Sequence, residues 1–272
     1  MKRDVSTQTI SDFGTQWTSY SKDTGFFGSS GLLEDFLTPF QCNKFKDKVV
    51  ADIGAGGGRF TLALLELGAS TVIAVEPSDA VRVLRQKVEA LNAQGRVVVV
   101  NDTADKIPSN FNLDYAVSVG VIHHIPEPEP VIKAAYNALK PGGQFVVWLY
   151  GLEGSRTYLF FILPLRKLTK RLPHKWKELF SRILDIPLYI YMRTCVRFPQ
   201  LNLPLRDYMT NIMQRLDPKM RRIVIYDQLS PHYAKYYTRR GVEKLMSCAP
   251  FNTEIHQRRG YSWVAIGTKP NE

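Results

Sequence analysis

Two groups of residues in this 272-residue chain have types and spacing that could do chemistry. The first is Asp52-Ile53-Gly54-Ala55-Gly56-Gly57-Gly58, where a carboxylate stands two residues before glycines at alternate positions, and Glu76 follows 18 residues past Gly58. Such a turn lets a ligand approach the backbone without meeting a Cβ. A helix starting at Phe60 would point unpaired N–H groups at whatever sits there. The second group is His123-His124, joined much later by His232. An imidazole beside a bound acceptor can take up a proton if the acceptor must lose one.

The spacing also selects the ligand. A dinucleotide fingerprint would carry its third glycine at position 59, and position 59 is Arg. A carboxylate aimed into the cleft would repel a pyrophosphate and suits the ammonium of an amino acid. The loop therefore reads as built for S-adenosylmethionine rather than NAD.

The elements that must position these residues follow from the hydrophobic pattern. Residues 49–53 form a buried strand and 60–65 a helix packed on the sheet. Residues 71–75 form a second strand that ends on Glu76, where an acid can accept from both ribose hydroxyls. A helix over 78–91 follows, capped by Ser78 or Asp79, then a third strand over 96–100. The fourth strand opens at Asp114 and delivers Val119 and Gly120 to the carboxyl edge of the sheet. A helix over 128–139 stops at Lys140-Pro141-Gly142-Gly143, and 144–150 is the fifth strand. Near the end, Thr238 caps a helix to Ser247, with strands over 251–257 and 261–268. Residues 1–11 are polar and read as loose, and 30–37 as an amphipathic helix.

With its glycine loop, its fourth strand and its double histidine in that order, the chain resembles a class I S-adenosylmethionine-dependent methyltransferase, of the broad group related to bacterial small-molecule and quinone methylases. The resemblance is strong over 45–150, weak over 226–268 and hardly present between. It implies an α/β, Rossmann-like fold: a seven-stranded, mostly parallel sheet with helices on both faces and a helical lid inserted after strand five. S-adenosylmethionine, leaving as S-adenosylhomocysteine, is the implied cofactor. Its expected contacts are Asp52, Gly54, Ala55, Gly56, Gly58, Glu76, Pro77, Val119 and Gly120. Asp102 is expected at the adenine amino group, although aligning on Pro108 shifts that contact to Thr103 and Ala104. The aromatic segment around Trp17 and Tyr20 is either a cap on the sheet or the flap that folds over the donor in many relatives. Residues 226–237 resemble a loop that lines the acceptor pocket in small-molecule relatives. The expected substrate contacts are Tyr20, Tyr150, Tyr233 and Tyr237, and His124 and His232 are the candidate bases.

Composition bounds the alternatives. The apolar fraction of 44% and the charged fraction of 22% are those of a folded soluble protein. The first residues lack the basic and apolar pattern of a signal peptide. Cys42, Cys195 and Cys248 lack metal-ligand spacing and an even count, which suits a reducing cytoplasm. No carboxylate cluster follows the fourth strand, so no metal is expected. The net charge of +11 is uneven: residues 1–150 hold 14 Lys+Arg and 16 Asp+Glu, whereas 151–272 hold 22 and 9. The expected division is 1–44 as an aromatic flap and helix, 45–150 with 223–272 as the donor-binding core, and 151–222 as a basic helical lid.

Three readings of that lid stay open: a solvated cover over the site, a cover that also rests on an anionic membrane, or a nucleic-acid surface. No Asn-Pro-Pro-Tyr or Asp-Pro-Pro-Tyr follows the fourth strand, which argues against amino methylation of adenine or glutamine. The reading favoured is O-methylation of a small-molecule, sugar or lipid-linked acceptor by in-line transfer. The alternatives are an RNA methyltransferase and a non-catalytic protein that binds the donor.

Overall fold

The computed structural model describes residues 2–19 and 24–271. The chain runs α1 (Lys2–Ser19), α2 (Ser30–Leu37), β1 (Val49–Ile53), α3 (Arg59–Glu66), β2 (Thr71–Val75), α4 (Val81–Ala90), β3 (Val97–Val100) and β4 (Leu113–Val119). It continues through α5 (Glu129–Ala138), β5 (Leu139–Tyr150), α6 (Arg156–Thr169), α7 (His174–Arg197), α8 (Arg206–Asn211), α9 (Pro218–Leu229), α10 (Arg239–Met246), β6 (Asn252–Arg258) and β7 (Ser262–Thr268). The strands form one seven-stranded sheet in the order β3-β2-β1-β4-β5-β7-β6. All pairs are parallel except those of β7, which runs antiparallel to β5 and β6.

The central strands are apolar at nearly every position because both faces of the sheet are covered. Side chains alternate along each strand, so Val50, Val117 and Val146 share one core with Leu33 of α2 and Leu64 of α3. Ala51, Ala116 and Val147 share the other with Ile132 of α5 and Leu245 of α10. The expected α/β sheet with helices on both faces is thus present. Strand order reverses between β1 and β4, which opens a crevice at their carboxyl ends.

Several boundaries differ from expectation. Residues 2–11 are helical, not loose: α1 lies against the rest of the fold with Thr9 and Gln16 buried, and tertiary packing supplies what their polar sequence lacks. The fourth helix starts at Val81, with the Ser78 hydroxyl accepting from the Ala80 N–H at 3.2 Å. Residues 140–143, expected as a helix stop, already run within β5, where the register with β4 shifts. The expected boundary at 222/223 falls inside α9, whose apolar side joins Met192 of α7 in the core. Thr238 caps α10 as expected, accepting from the Gly241 N–H at 3.1 Å.

Helices α6 to α9 follow β5 in the chain and form a helical layer before α10 and the last two strands. Asp185 of α7 and Arg221 of α9 clamp it with a two-point ion pair, one arm of which is 2.9 Å from Nη2 to Oδ2, and Arg221 is 6% exposed. Replacing Asp185→Ala strands a buried guanidinium and should lower stability by about 3 kcal/mol, read from the urea unfolding midpoint. The double replacement Asp185→Ala with Arg221→Met should recover most of that loss.

Candidate functional site

The carboxyl ends of β1, β2, β4 and β5 open into a cavity of about 1000 Å3, lined on the sheet side by Gly54, Ala55, Gly56, Glu76, Pro77, Val119 and Gly120. At Gly54 a Cβ would lie 2.4 Å from a Val121 methyl, so only glycine lets β1 turn under the loop after β4. Gly120 has φ +77° and no atom within 4 Å of where its Cβ would be, which leaves its backbone bare to the cavity. Gly58 lies outside the lining: it caps α3 and packs on Leu84.

The two acids divide the work differently from the sequence reading. Asp52 alternates onto the Val50 face of β1, beneath α3, and is 2% exposed. It accepts from the Thr61 hydroxyl at 2.6 Å and is absent from the cavity lining, so its expected aim at a ligand ammonium is not seen. Burial pushes its carboxyl up to about 6, against the pull of the Thr61 hydrogen bond. Glu76 does line the cavity. Its Oε2 accepts from the Gly56 N–H and its Oε1 from the Ser78 N–H, both at 2.8 Å. Each oxygen keeps a further lone pair.

Past β3 the lining passes through Thr103, Ala104 and Asp105. Asp102 is exposed and accepts from the Thr103 N–H at 2.7 Å, so the shifted register, not Asp102 itself, reaches the cavity. The cover is α1. Trp17 of α1 lies 3.4 Å from where a Cβ on Gly56 would stand, and the Phe13 and His124 ring centroids are 4.7 Å apart. Arg59, the residue that breaks the dinucleotide pattern, lines the same end with its guanidinium 4.2 Å from the rings of both Phe27 and Phe60. Tyr20 lies outside the described residues.

The opposite end of the cavity holds a polar network among aromatic walls. His124 is 5% exposed and its Nδ1 lies 2.8 Å from the Tyr233 carbonyl oxygen. A carbonyl only accepts, so Nδ1 carries the proton and Nε2 is the basic nitrogen of the neutral ring. Burial lowers this imidazole below its ordinary 6.5, with Asp227 and the Tyr233 carbonyl opposing. Asp227 of α9 also lines the cavity; it accepts from Gln16 of α1 at 3.0 Å and stands 3.5 Å from the Tyr150 hydroxyl. Gln228 donates to that hydroxyl at 2.8 Å and accepts from the Tyr158 hydroxyl at 2.7 Å. Arg166 reaches the Tyr236 hydroxyl at 3.0 Å, and the Tyr236 ring stacks on Tyr150. Burial, reinforced by Asp227, holds the Tyr150 phenol well above 10, hence neutral.

Tyr150 thus lines the cavity, and three other expected residues do not. Tyr237 is 1% exposed in the core and makes way for Tyr236, because the extended strand-like segment beside Gly151 sends neighbours to opposite sides. Tyr233 serves through its backbone oxygen and is not in the lining. His232 is drawn to Asp12 of α1 and lies outside the cavity, which removes it as a base. His123 is fully buried with neither ring nitrogen hydrogen-bonded. Sequence reasoning missed Asp227, Gln228, Tyr158 and Arg166. Asp227 and Gln228 lay inside the stretch expected to line the acceptor pocket, but Tyr158 and Arg166 carry no local signal. Among the described residues no group of three or more His, Cys, Asp or Glu could hold a metal.

Comparison with known proteins agrees with this geometry. Residues 51–147 match the family described as "Methyltransferase domain". The chain is 32% identical over 154 residues to the ubiquinone biosynthesis O-methyltransferase of Pseudomonas fluorescens strain Pf-5, and 31% identical to that of Pseudomonas entomophila. Each match covers 52% of this chain and spans 65% of the length of the relative. In fold, the chain is similar to an S-adenosylmethionine-dependent methyltransferase from Aquifex aeolicus, with a TM-score of 0.52 at 12% identity over 94% of this chain and 98% of that one. An O-methyltransferase family protein from Burkholderia thailandensis superposes with a TM-score of 0.52 at 13% identity, covering 89% of this chain and 56% of the other. The glycine turn at the strand-order reversal, the acid after β2 and these likenesses agree: residues 51–147 carry a methyltransferase domain, on a fold similar to that of S-adenosylmethionine-dependent methyltransferases.

Proposed function

We propose that this protein transfers a methyl group from S-adenosylmethionine to a hydroxyl oxygen of a small organic acceptor. The observation that carries the reading is one cavity with two unlike ends: a bare glycine turn with Glu76 at one, and His124 with Asp227 and Tyr150 at the other. The named relatives, O-methyltransferases of ubiquinone biosynthesis, support the choice of oxygen.

The residues present fit the donor. A Cβ at Gly120 would enter the cavity, and the free lone pairs of Glu76 suit a pair of ribose hydroxyls. Thr103 and Ala104 would border the adenine, and Trp17 and Arg59 would close over the amino-acid end, where Arg59 suits a carboxylate. Asp52 acts at one remove, tying β1 to the first turn of α3 through Thr61. When bound, S-adenosylmethionine supplies an electrophilic methyl carbon on a sulfonium.

The chain's own residues then have three tasks. Tyr150, Tyr236 and Tyr158 offer flat walls and neutral phenols to an acceptor of matching shape. His124 Nε2 takes the hydroxyl proton, and Asp227 favours the imidazolium that results. Helix α1 excludes water by lying across the opening, held by Gln16 on Asp227 and by Asp12 on His232. Helices α6 to α8 serve as the acceptor-side lid.

Calorimetric titration with S-adenosylmethionine should show Glu76→Ala weakening the dissociation constant by roughly tenfold to a hundredfold, the loss of charge-assisted hydrogen bonds. Unchanged affinity would remove the ribose assignment. A cell extract supplied with methyl-labelled donor should yield an O-methylated product, whereas label on nitrogen or carbon would overturn the hydroxyl reading.

With that acceptor, His124→Gln should lower kcat by about a hundredfold or more. Because the ring must be unprotonated and burial lowers it below 6.5, wild-type turnover should be flat above pH 7 and fall with acid through a midpoint below 6.5. That acid limb should vanish in the variant.

A further inference from the structure

The outer face of the helical layer is apolar where a solvated helix would be polar. On α7, Trp176, Leu179, Ile183, Ile186 and Ile190 recur at spacings of three and four residues and are between 44% and 65% exposed. On α6, Phe160, Phe161 and Leu168 are between 68% and 76% exposed. A helix rarely leaves an apolar stripe as long as that of α7 to water without a use for it.

Cations flank this patch. Lys167 and Arg171 stand at or just past the end of α6, and Lys175, Arg193 and Arg197 run along α7, all exposed. Acids are scarce here: α6 has none, and the two on α7 are occupied, Glu178 by Arg182 at 2.7 Å and Asp185 by Arg221. No helix among the described residues is long and apolar enough to cross a membrane. An apolar stripe edged by lysine and arginine, on a helix that does not span, matches a surface that lies in the interface of an anionic bilayer.

We propose that this face of α6 and α7 docks the protein on anionic phospholipid membrane, with the apolar side chains among the acyl chains and the flanking cations at the headgroups. The cavity reaches the same face, since Phe161 and Pro187 both line it and are exposed. An acceptor dissolved in the bilayer would therefore enter between α6 and α7 without crossing water. Charge disfavours the other occupants. Two copies pairing through this face would oppose like charges, and a nucleic acid would gain phosphate contacts yet leave the aliphatic stripe of α7 unused.

Flotation with lipid vesicles tests this on the full chain, and it reads binding alone, so its outcome is independent of the proposed methyl transfer. Vesicles of phosphatidylcholine with one quarter phosphatidylglycerol should carry the protein, and recovery should fall about tenfold in pure phosphatidylcholine or at high salt. Ile183→Glu with Ile186→Glu should lower it as far, while thermal melting and donor titration confirm an intact fold. Lys175→Glu with Arg193→Glu should do the same without touching an apolar residue. Equal recovery on both vesicle types, or flotation unaffected by either pair, would overturn the proposal. So would self-association or RNA retention that the same substitutions abolish in a protein that does not float.

Discussion

Two backbone hydrogen bonds to one carboxylate hold this site in shape. Glu76 accepts from Gly56 on the loop after β1 and from Ser78 on the approach to α4, each at 2.8 Å, so a single side chain ties the ends of adjacent parallel strands together. The glycine loop has almost no side chains with which to fix itself, and its backbone N–H groups must find partners once water is excluded. Glu76 supplies one such partner, and the Val75 carbonyl supplies another to Gly54 and Ala55 at 2.9 and 3.0 Å. Behind the loop, Asp52 and Thr61 make the complementary tie to α3. The result is a concave cradle whose shape is set by two acids rather than by bulk.

At the far end of the cavity the design is different. The groups there are polar but mostly neutral: burial holds the phenol of Tyr150 protonated and the imidazole of His124 unprotonated. Asp227 and Arg166 are the charges of this network, and both are tethered, Asp227 to Gln16 and Arg166 to the Gln228 carbonyl at 2.8 Å. In the proposed reaction this network orients the acceptor and leaves one basic nitrogen to accept a proton. It also links three parts of the chain that are far apart in sequence, since α1, β5 and α9 meet at Asp227 through Gln16 and Tyr150.

Much of this was legible in the sequence, and the limits were physical. The sheet could be read because strands buried on both faces appear as continuous apolar runs. Glu76 could be read because its position after a strand constrains where it lies, while Asp52 was misjudged because strand alternation, one residue either way, decides between cavity and core. The same parity exchanged Tyr237 for Tyr236. His232 and residues 2–11 were misread for a different reason: Asp12 and His232 are 220 positions apart, and neither predicts the other.

The sequence by itself determined the succession of the seven strands, the glycine turn, the acid after β2 and the basic bias of the second half, because each of these is a local pattern of residue types. Only the tertiary structure decided which side chains share the cavity. Arg166 and Tyr236 lie 70 residues apart, as do Tyr158 and Gln228, and Gln16 and Asp227 lie 211 apart. Side chains at such separations meet through the packing of the helical layer and α1 over the sheet, and no periodicity along the chain records that packing.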